Sequence, residues 1–308
     1  MTQAWRTALW ASALRYSCTM IIQPIIDPLK PHWQARLALR FADDAGTTRL
    51  IDKNHFGPLR VQKALYPEGA RVCHAIVVHP PGGVVGGDTL AVRASVGAGA
   101  HAFISTPGAA KWYKANGRTS RQDITLDIQA GARLEWLPQE TIFFDAAEVE
   151  LTHAVTLGPD ARYLACDILC FGRTASGETF NSGKVTQKIS IRQDGKLIWW
   201  EQGALGAASM HSPLGLNGKT VCASMIAAGR IFPASVLNAI RLDVAEMRFQ
   251  YGVRESGAFG ISQLKSVLVA RYLGHSSEMA RRVMLCVWRH LRPELMSCAA
   301  VVPRIWNT

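Results

Sequence analysis

Four acidic residues stand where strand-forming sequence would bury them. Residues 163–171 are apolar except Asp167, and period-two alternation puts Asp167 on the same side as Tyr163, Ala165, Leu169 and Phe171. Glu201 follows Leu197, Ile198, Trp199 and Trp200, Glu140 ends the run LEWLPQE, and Asp88 closes the Gly-rich segment HPPGGVVGGDTL. A carboxylate removed from water is costly unless it is paired or still faces water. Two readings follow. Each acid is held by a salt bridge with a cation such as Arg173 or Lys184, or several of them line a hydrated interior passage. In such a passage carboxylate and carbonyl oxygens, with an occasional imidazole, suit transient contact with a divalent ion.

The remaining polar groups offer less. His74 and His79 are the histidines best placed to join a metal site, but five residues apart on a strand they point to opposite faces. Cys166 and Cys170 share a face, yet four strand residues separate them by about 13 Å, too far to grip one ion, and they read as buried free thiols. The Gly-rich segment of residues 79–90 lacks GxxxxGK[ST] and GxGxxG. A strand-like run follows it where a phosphate site needs a helix N-terminus. Its glycines and prolines instead let the backbone turn sharply or approach another chain closely. HExxH, GxSxG and CxxC are all missing, so the sequence carries no self-contained catalytic or metal-binding motif.

The elements that must position these residues are mostly strands. A small turn followed by strand formers recurs at Ala70, Ala100, Ala132, Ala161 and Gly195, spaced by 30, 32, 29 and 34 residues. Quasi-regular spacing in this range is what a stacked β architecture produces, each unit covering the apolar face left by the one before. Alternating runs at residues 89–96 and 123–129 add further strands. Helical periodicity is confined to the last third. Ser277 caps a predicted helix through Met279, Val283, Val287 and Leu291 that Pro293 stops, and a second helix is predicted over residues 234–247, with Val236, Leu237, Ile240, Val244 and Met247 on one side. The fold class is mainly β with a small helical addition.

Composition excludes several partners. The chain of 308 residues carries a formal charge of +11, but its cations are scattered, the longest basic run being Arg281 and Arg282. Nucleic-acid binding needs clustered cations with stacking aromatics, so the excess charge points to docking on an acidic protein surface. An uncharged stretch as long as any in the chain, residues 202–218, contains four glycines and a proline and is no membrane span. Arg15 interrupts the short apolar run of residues 7–14, and no cleavage site follows, which argues against a secretory signal. Seven cysteines, an odd number without paired spacing, fit a reduced cytoplasmic compartment.

Beyond these physical readings, the chain resembles the UreD (also UreH) family of urease accessory proteins. The resemblance rests on WQARLALRF, GPLRVQKALYPEG, HPPGGVVGGDTL, STPGAAKWY, LEWLPQETIFFDAA, DILCFGRTASGETFNSG, ARYLG and PRIW, which cover the chain in order from Trp33 to its end. It implies a β-helix-like stack of strands with two α-helices near the C-terminal end. It further implies a non-enzymatic scaffold that works with UreF, the GTPase UreG and urease apoprotein, and that supports nickel insertion into urease. No cofactor is tightly bound on this reading, and nickel is a transient passenger. Asp88, Asp167, Glu201 and Glu140 are the candidates for lining its path, and His79 and His74 are weaker ones. Cys166 stands where the family pattern has Trp.

Residues 32–308 therefore read as one domain. Residues 1–31 read as an extension that is disordered or untranslated, with Met20 as an alternative start. The competing function is a β-helical carbohydrate-active enzyme using two of the acids as a catalytic pair, which requires a groove with carboxylates about 5 to 10 Å apart.

Overall fold

Three corners with the same local chemistry set the repeat. In 97–100, 129–132 and 158–161 the fourth residue's N–H donates to the first residue's carbonyl at 3.1, 3.0 and 3.2 Å. The third residue of each corner, Gly99, Gly131 or Asp160, has φ of 74°, 66° or 54°, the positive value that a type II turn requires. Ala100, Ala132 and Ala161 follow, each completely buried where neighbouring corners stack. The recurrence seen in sequence is thus a structural repeat at these three positions. At the other two it is not: Ala70 is exposed, and Asp194 and Gly195, with φ of 49° and 78°, form a hairpin turn.

The computed structural model describes residues 32–251 and 257–307. The extension and the alternative start at Met20 lie outside them. The strands are β1 (Gln34–Asp44), β2 (Thr47–Phe56), β3 (Arg60–Leu65), β4 (Val72–Val78), β5 (Thr89–Val96) and β6 (His101–Ser105). There follow β7 (Ala110–Trp112), β8 (Ser120–Ile128), β9 (Arg133–Trp136), β10 (Thr141–Phe143), β11 (Glu148–Leu157) and β12 (Arg162–Phe171). The last third comprises β13 (Lys184–Gln193), β14 (Lys196–Gly206), α1 (Ala207–His211), β15 (Val221–Ala228), α2 (Ala234–Tyr251), β16 (Ala258–Leu264), β17 (Val267–Gly274) and α3 (Ser277–Met296).

Each coil gives one strand to each of two facing sheets. In the first sheet β1, β5, β8, β11 and β13 run parallel. In the second, β4, β6, β9 and β12 do the same. A short third side is built from β7, β10 and the end of β12, and Val84 of the Gly-rich segment pairs with Trp112 to extend it. The close approach expected of that segment is real and intramolecular: a Cβ on Gly83 would lie 2.2 Å from the Tyr113 ring, and one on Gly86 would lie 2.9 Å from the Arg118 carbonyl. Antiparallel strands finish both ends, with β2 and β3 at one and β14, β15, β17 and β16 at the other. Among the described residues the parallel stack is therefore capped at both ends by antiparallel strands, which cover its parallel edges.

Two cores result. One lies between the sheets and includes Leu39, Ile104, Leu126, Tyr163, Phe171 and Ile191. The other joins the second sheet to α2 and α3 through Leu164, Met225, Ile240, Val244, Val283, Val287 and Leu291. The two long helices appear where periodicity placed them, with a five-residue α1 in addition. Two details of α3 differ from expectation. Ser276, not Ser277, is the cap, its hydroxyl accepting the Met279 N–H at 3.1 Å. Pro293 does not stop the helix, which runs on to Met296. Pro293 lacks the N–H that would bond the carbonyl of exposed Arg289, where water can substitute, while burial of Leu295 and Met296 holds the last turn.

Candidate functional site

Near the antiparallel end the facing sheets stay apart. On the second sheet Asp167 of β12 lies opposite Ser224 of β15, Ser224 opposite Arg271 of β17, and Arg271 opposite Gly260 of β16. Cross-strand partners share a face, so this row looks toward the first sheet. There, Gln187 of β13 lies opposite Gly203 of β14, and Glu201 opposite Ile189. Between the rows is a cavity of about 600 Å³ lined by Asp167, Gln187, Glu201, Ser224 and Arg271 among others, with Leu214 and Leu216 from the segment after α1. Two of its lining residues, Gly203 and Gly260, carry no side chain. A Cβ on Gly203 or Gly260 would meet nothing within 4 Å, and neither glycine has a positive φ that would oppose one.

Two polar contacts cross the cavity. The Gln187 amide donates to Asp167 Oδ2 at 3.3 Å, and the Arg271 guanidinium donates to Glu201 Oε1 at 2.7 Å. The second Glu201 oxygen, Oε2, is enclosed and has no hydrogen-bond partner among the described residues. Burial, reinforced by the charge of Glu201 and opposed by the Gln187 hydrogen bond, pushes the Asp167 carboxyl up to about 6. Among the described residues Asp167 is bonded by the neutral Gln187 and by no cation. The salt-bridge partners suggested by sequence do not serve: Arg173 holds Glu178 at 2.9 Å, and Lys184 is exposed at the start of β13.

The polar character extends inward from this cavity. His153 of β11 lies beside Ile189, which in turn lies opposite Glu201. Burial pushes His153 down to about 4, leaving a neutral ring whose Nε2 shares a hydrogen bond with the Tyr163 hydroxyl at 2.8 Å. Tyr163 is held in its protonated form by burial and by the nearby charge of Asp167.

The other sequence candidates lie elsewhere. Asp88 is committed to backbone, its Oδ1 accepting the Trp33 N–H and its Oδ2 the Val85 N–H, both at 3.0 Å. Glu140 pairs with Arg281 of α3 at 2.7 Å, on the helical side of β12. His79 is half-buried and pushed down by burial against the opposing effect of Asp88. His74 is buried, stacked on Phe103 with centroids 4.3 Å apart, and bonded to Glu68 at 2.7 Å. Cys166 and Cys170 are free and buried, as expected.

His74 leads to a cluster that sequence reading missed. Arg292 of α3, 0% exposed, donates from Nε to Glu135 at 3.0 Å and from Nη2 to Glu68 at 2.9 Å. Glu135 also accepts from Trp288 Nε1 at 2.9 Å and faces His101 Nε2 at 2.9 Å. Burial pushes Glu135 up, but His101 and Arg292 together hold it below its usual value. Both acids are bonded to Arg292 and to a histidine, so the cluster is a clamp between the second sheet and α3. A signal was available, since Met284, Trp288, Arg292 and Met296 recur at spacings of four along the buried stripe of α3.

The UreD urease accessory protein family model matches residues 34–307. A urease accessory protein UreD of Janthinobacterium sp. (strain Marseille) is 60% identical over 277 residues, 89% of this chain and 92% of the relative. One from Nitrosospira multiformis is 53% identical over 283 residues, 91% of this chain and 98% of the relative. A third, from Dechloromonas aromatica, is 45% identical and covers 92% of this chain and 98% of its own.

Proposed function

Since the chain belongs to the UreD family of urease accessory proteins, with a role in urease maturation as an accessory protein and not as a catalyst, we propose that it binds UreF, UreG and urease apoprotein and passes nickel toward the urease active site. The observation that carries this reading is the cavity between the sheets, with Asp167 and Glu201 facing into it. The path we assign runs along these two acids; Asp88 and Glu140 stand apart from the cavity and serve the surrounding architecture.

The chemistry favours transit over storage. Opposite unit charges 4 Å apart attract by about 1 kcal/mol in water and about 4 kcal/mol at an effective dielectric of 20, so carboxylates at a poorly hydrated wall draw a divalent ion strongly. Oxygen ligands alone hold nickel less selectively than imidazole or thiolate. Asp167, with its carboxyl near 6, can also return to the protonated form, which lets the ion go. Nickel is cargo here, and no resident cofactor is required. Among the described residues no helix is long and apolar enough to cross a membrane, and we place the protein in the cytoplasm with its urease. The carbohydrate-active alternative has no observation to carry it once the family is known.

Reconstitution of urease activation from purified components tests this reading. Apo-urease given nickel, bicarbonate, GTP, UreF and UreG should activate only when this chain is added. Equal activation without it would refute the assignment.

A further inference from the structure

On the outer face of the helical layer, far in sequence from the acids of the cavity, Asp243 of α2 meets Cys286 and His290 of α3. One ligand atom from each lies within 4.8 Å of the other two, and His290 Nε2 is 2.7 Å from Asp243 Oδ2. Cys286 and His290 are four apart on one helix, so both project from the same face toward the neighbouring helix. The Asp243 and His290 contact alone is an ordinary ion pair. A thiol converging on the same point from the next turn is not part of such a pair.

We propose that Asp243, Cys286 and His290 form a binding site for a divalent transition ion of borderline softness, zinc or nickel, that joins α2 to α3. Thiolate, imidazole and carboxylate are the three ligand types such ions take, in contrast to the oxygen ligands suited to magnesium or calcium. With bonds of about 2.0 to 2.3 Å, tetrahedral ligand atoms sit roughly 3.4 to 3.7 Å apart. The separations seen here close to that span with side-chain adjustments of about an ångström. A groove of about 450 Å³ runs beside Asp243 and Cys286, with Glu246 and Gln250 on its wall together with the cations Arg282 and Arg289. It gives an ion a route from solvent and leaves the fourth position to water or to Glu246 or Gln250. On binding, the Cys286 thiol proton and any proton on His290 Nε2 pass to solvent, the sulfur stays as the thiolate ligand, and the imidazole nitrogen exchanges the carboxylate for the metal. The site is independent of the passage reading, since it shares no residue with the cavity.

Cobalt(II) titrated into the full chain tests the proposal, because a cysteine ligand gives a near-ultraviolet thiolate-to-cobalt charge-transfer band. The band should saturate at one equivalent, disappear in Cys286→Ser, and be displaced by added zinc or nickel. Asp243→Asn keeps the shape of the ligand and should weaken cobalt affinity by at least about tenfold, which provides the same test should the serine variant fold poorly. Lack of a thiolate band in the unaltered chain, a band of equal strength in Cys286→Ser, or unchanged affinity in Asp243→Asn would each overturn the site. The readout is binding, so it is unaffected by whether urease activation succeeds.

Discussion

Asp167→Asn gives the clearest test of how the cavity treats its acids. Asp167 has a neutral partner, Gln187, and its carboxyl is raised from 3.8 to about 6, chiefly by burial. A raised carboxyl means that the folded protein holds this proton more tightly than the unfolded chain does. Stability from this group is therefore complete below pH 3.8 and is lost as the pH rises through about 6. At about 1.36 kcal/mol per pKa unit, the ionised form costs the folded state about 3 kcal/mol. Asp167 is only partly buried, and solvent screening lowers that to about 2 kcal/mol. Asparagine retains the shape and can accept from Gln187 but carries no charge. Urea unfolding followed by tryptophan fluorescence should thus find the variant more stable than the unaltered chain by about 2 kcal/mol at pH 8, with the difference shrinking through pH 6 and vanishing near pH 4. A loss of roughly 3 to 5 kcal/mol at pH 8 would mean that the carboxylate answers a buried cation, and would refute the reasoning.

Other substitutions separate architecture from passage. Gly260→Val adds a β-branched residue to a strand where nothing lies within 4 Å; its unfolding free energy should be unchanged or up to about 1 kcal/mol higher, while urease co-expressed with it contains less nickel. Glu135→Gln breaks a pairing that is wholly buried around Arg292, and chemical denaturation should show a loss of roughly 3 to 5 kcal/mol. In the unaltered chain Glu68 and Glu135 are both held below the usual value of 4.5 by Arg292 and their histidines, in spite of burial. Their contribution to stability is therefore present above pH 4.5 and lost as the pH falls through the lowered values, so a pH titration of the unfolding midpoint should show an acid limb that Glu135→Gln makes shallower.

Much of the architecture was readable because it is local. The corners at Ala100, Ala132 and Ala161 need a small buried residue after a positive φ, and the sequence shows both. Alternation in residues 163–171 put Asp167 on the side of Tyr163, Ala165, Leu169 and Phe171, which the structure turns toward the first sheet, and helical spacing found α2 and α3. The Asp194 and Gly195 turn misled because a hairpin and a solenoid corner use the same residue types; only the direction of the next strand separates them. The partners of the acids were not readable. Glu201 meets Arg271 across 70 residues, and Glu135 meets Arg292 across 157. Those pairings depend on which strands stack and how the helices cross, and neither strand periodicity nor charge spacing encodes that. The same limit hid Gln187, an unremarkable polar residue in an alternating strand until β13 is placed over β12.

The central claim is that charge at Asp167 and Glu201 serves nickel and not the fold. The most direct measurement is the nickel content of urease purified from cells that co-express UreF, UreG and this chain carrying Asp167→Asn together with Glu201→Gln. Glu201 pairs with an arginine that is half exposed, so its loss costs at most about 1 kcal/mol and the assembly should form in normal yield. The account predicts intact assembly with urease low in nickel and correspondingly low in activity. Full nickel loading in the double variant, at equal yield of the assembly, would contradict it.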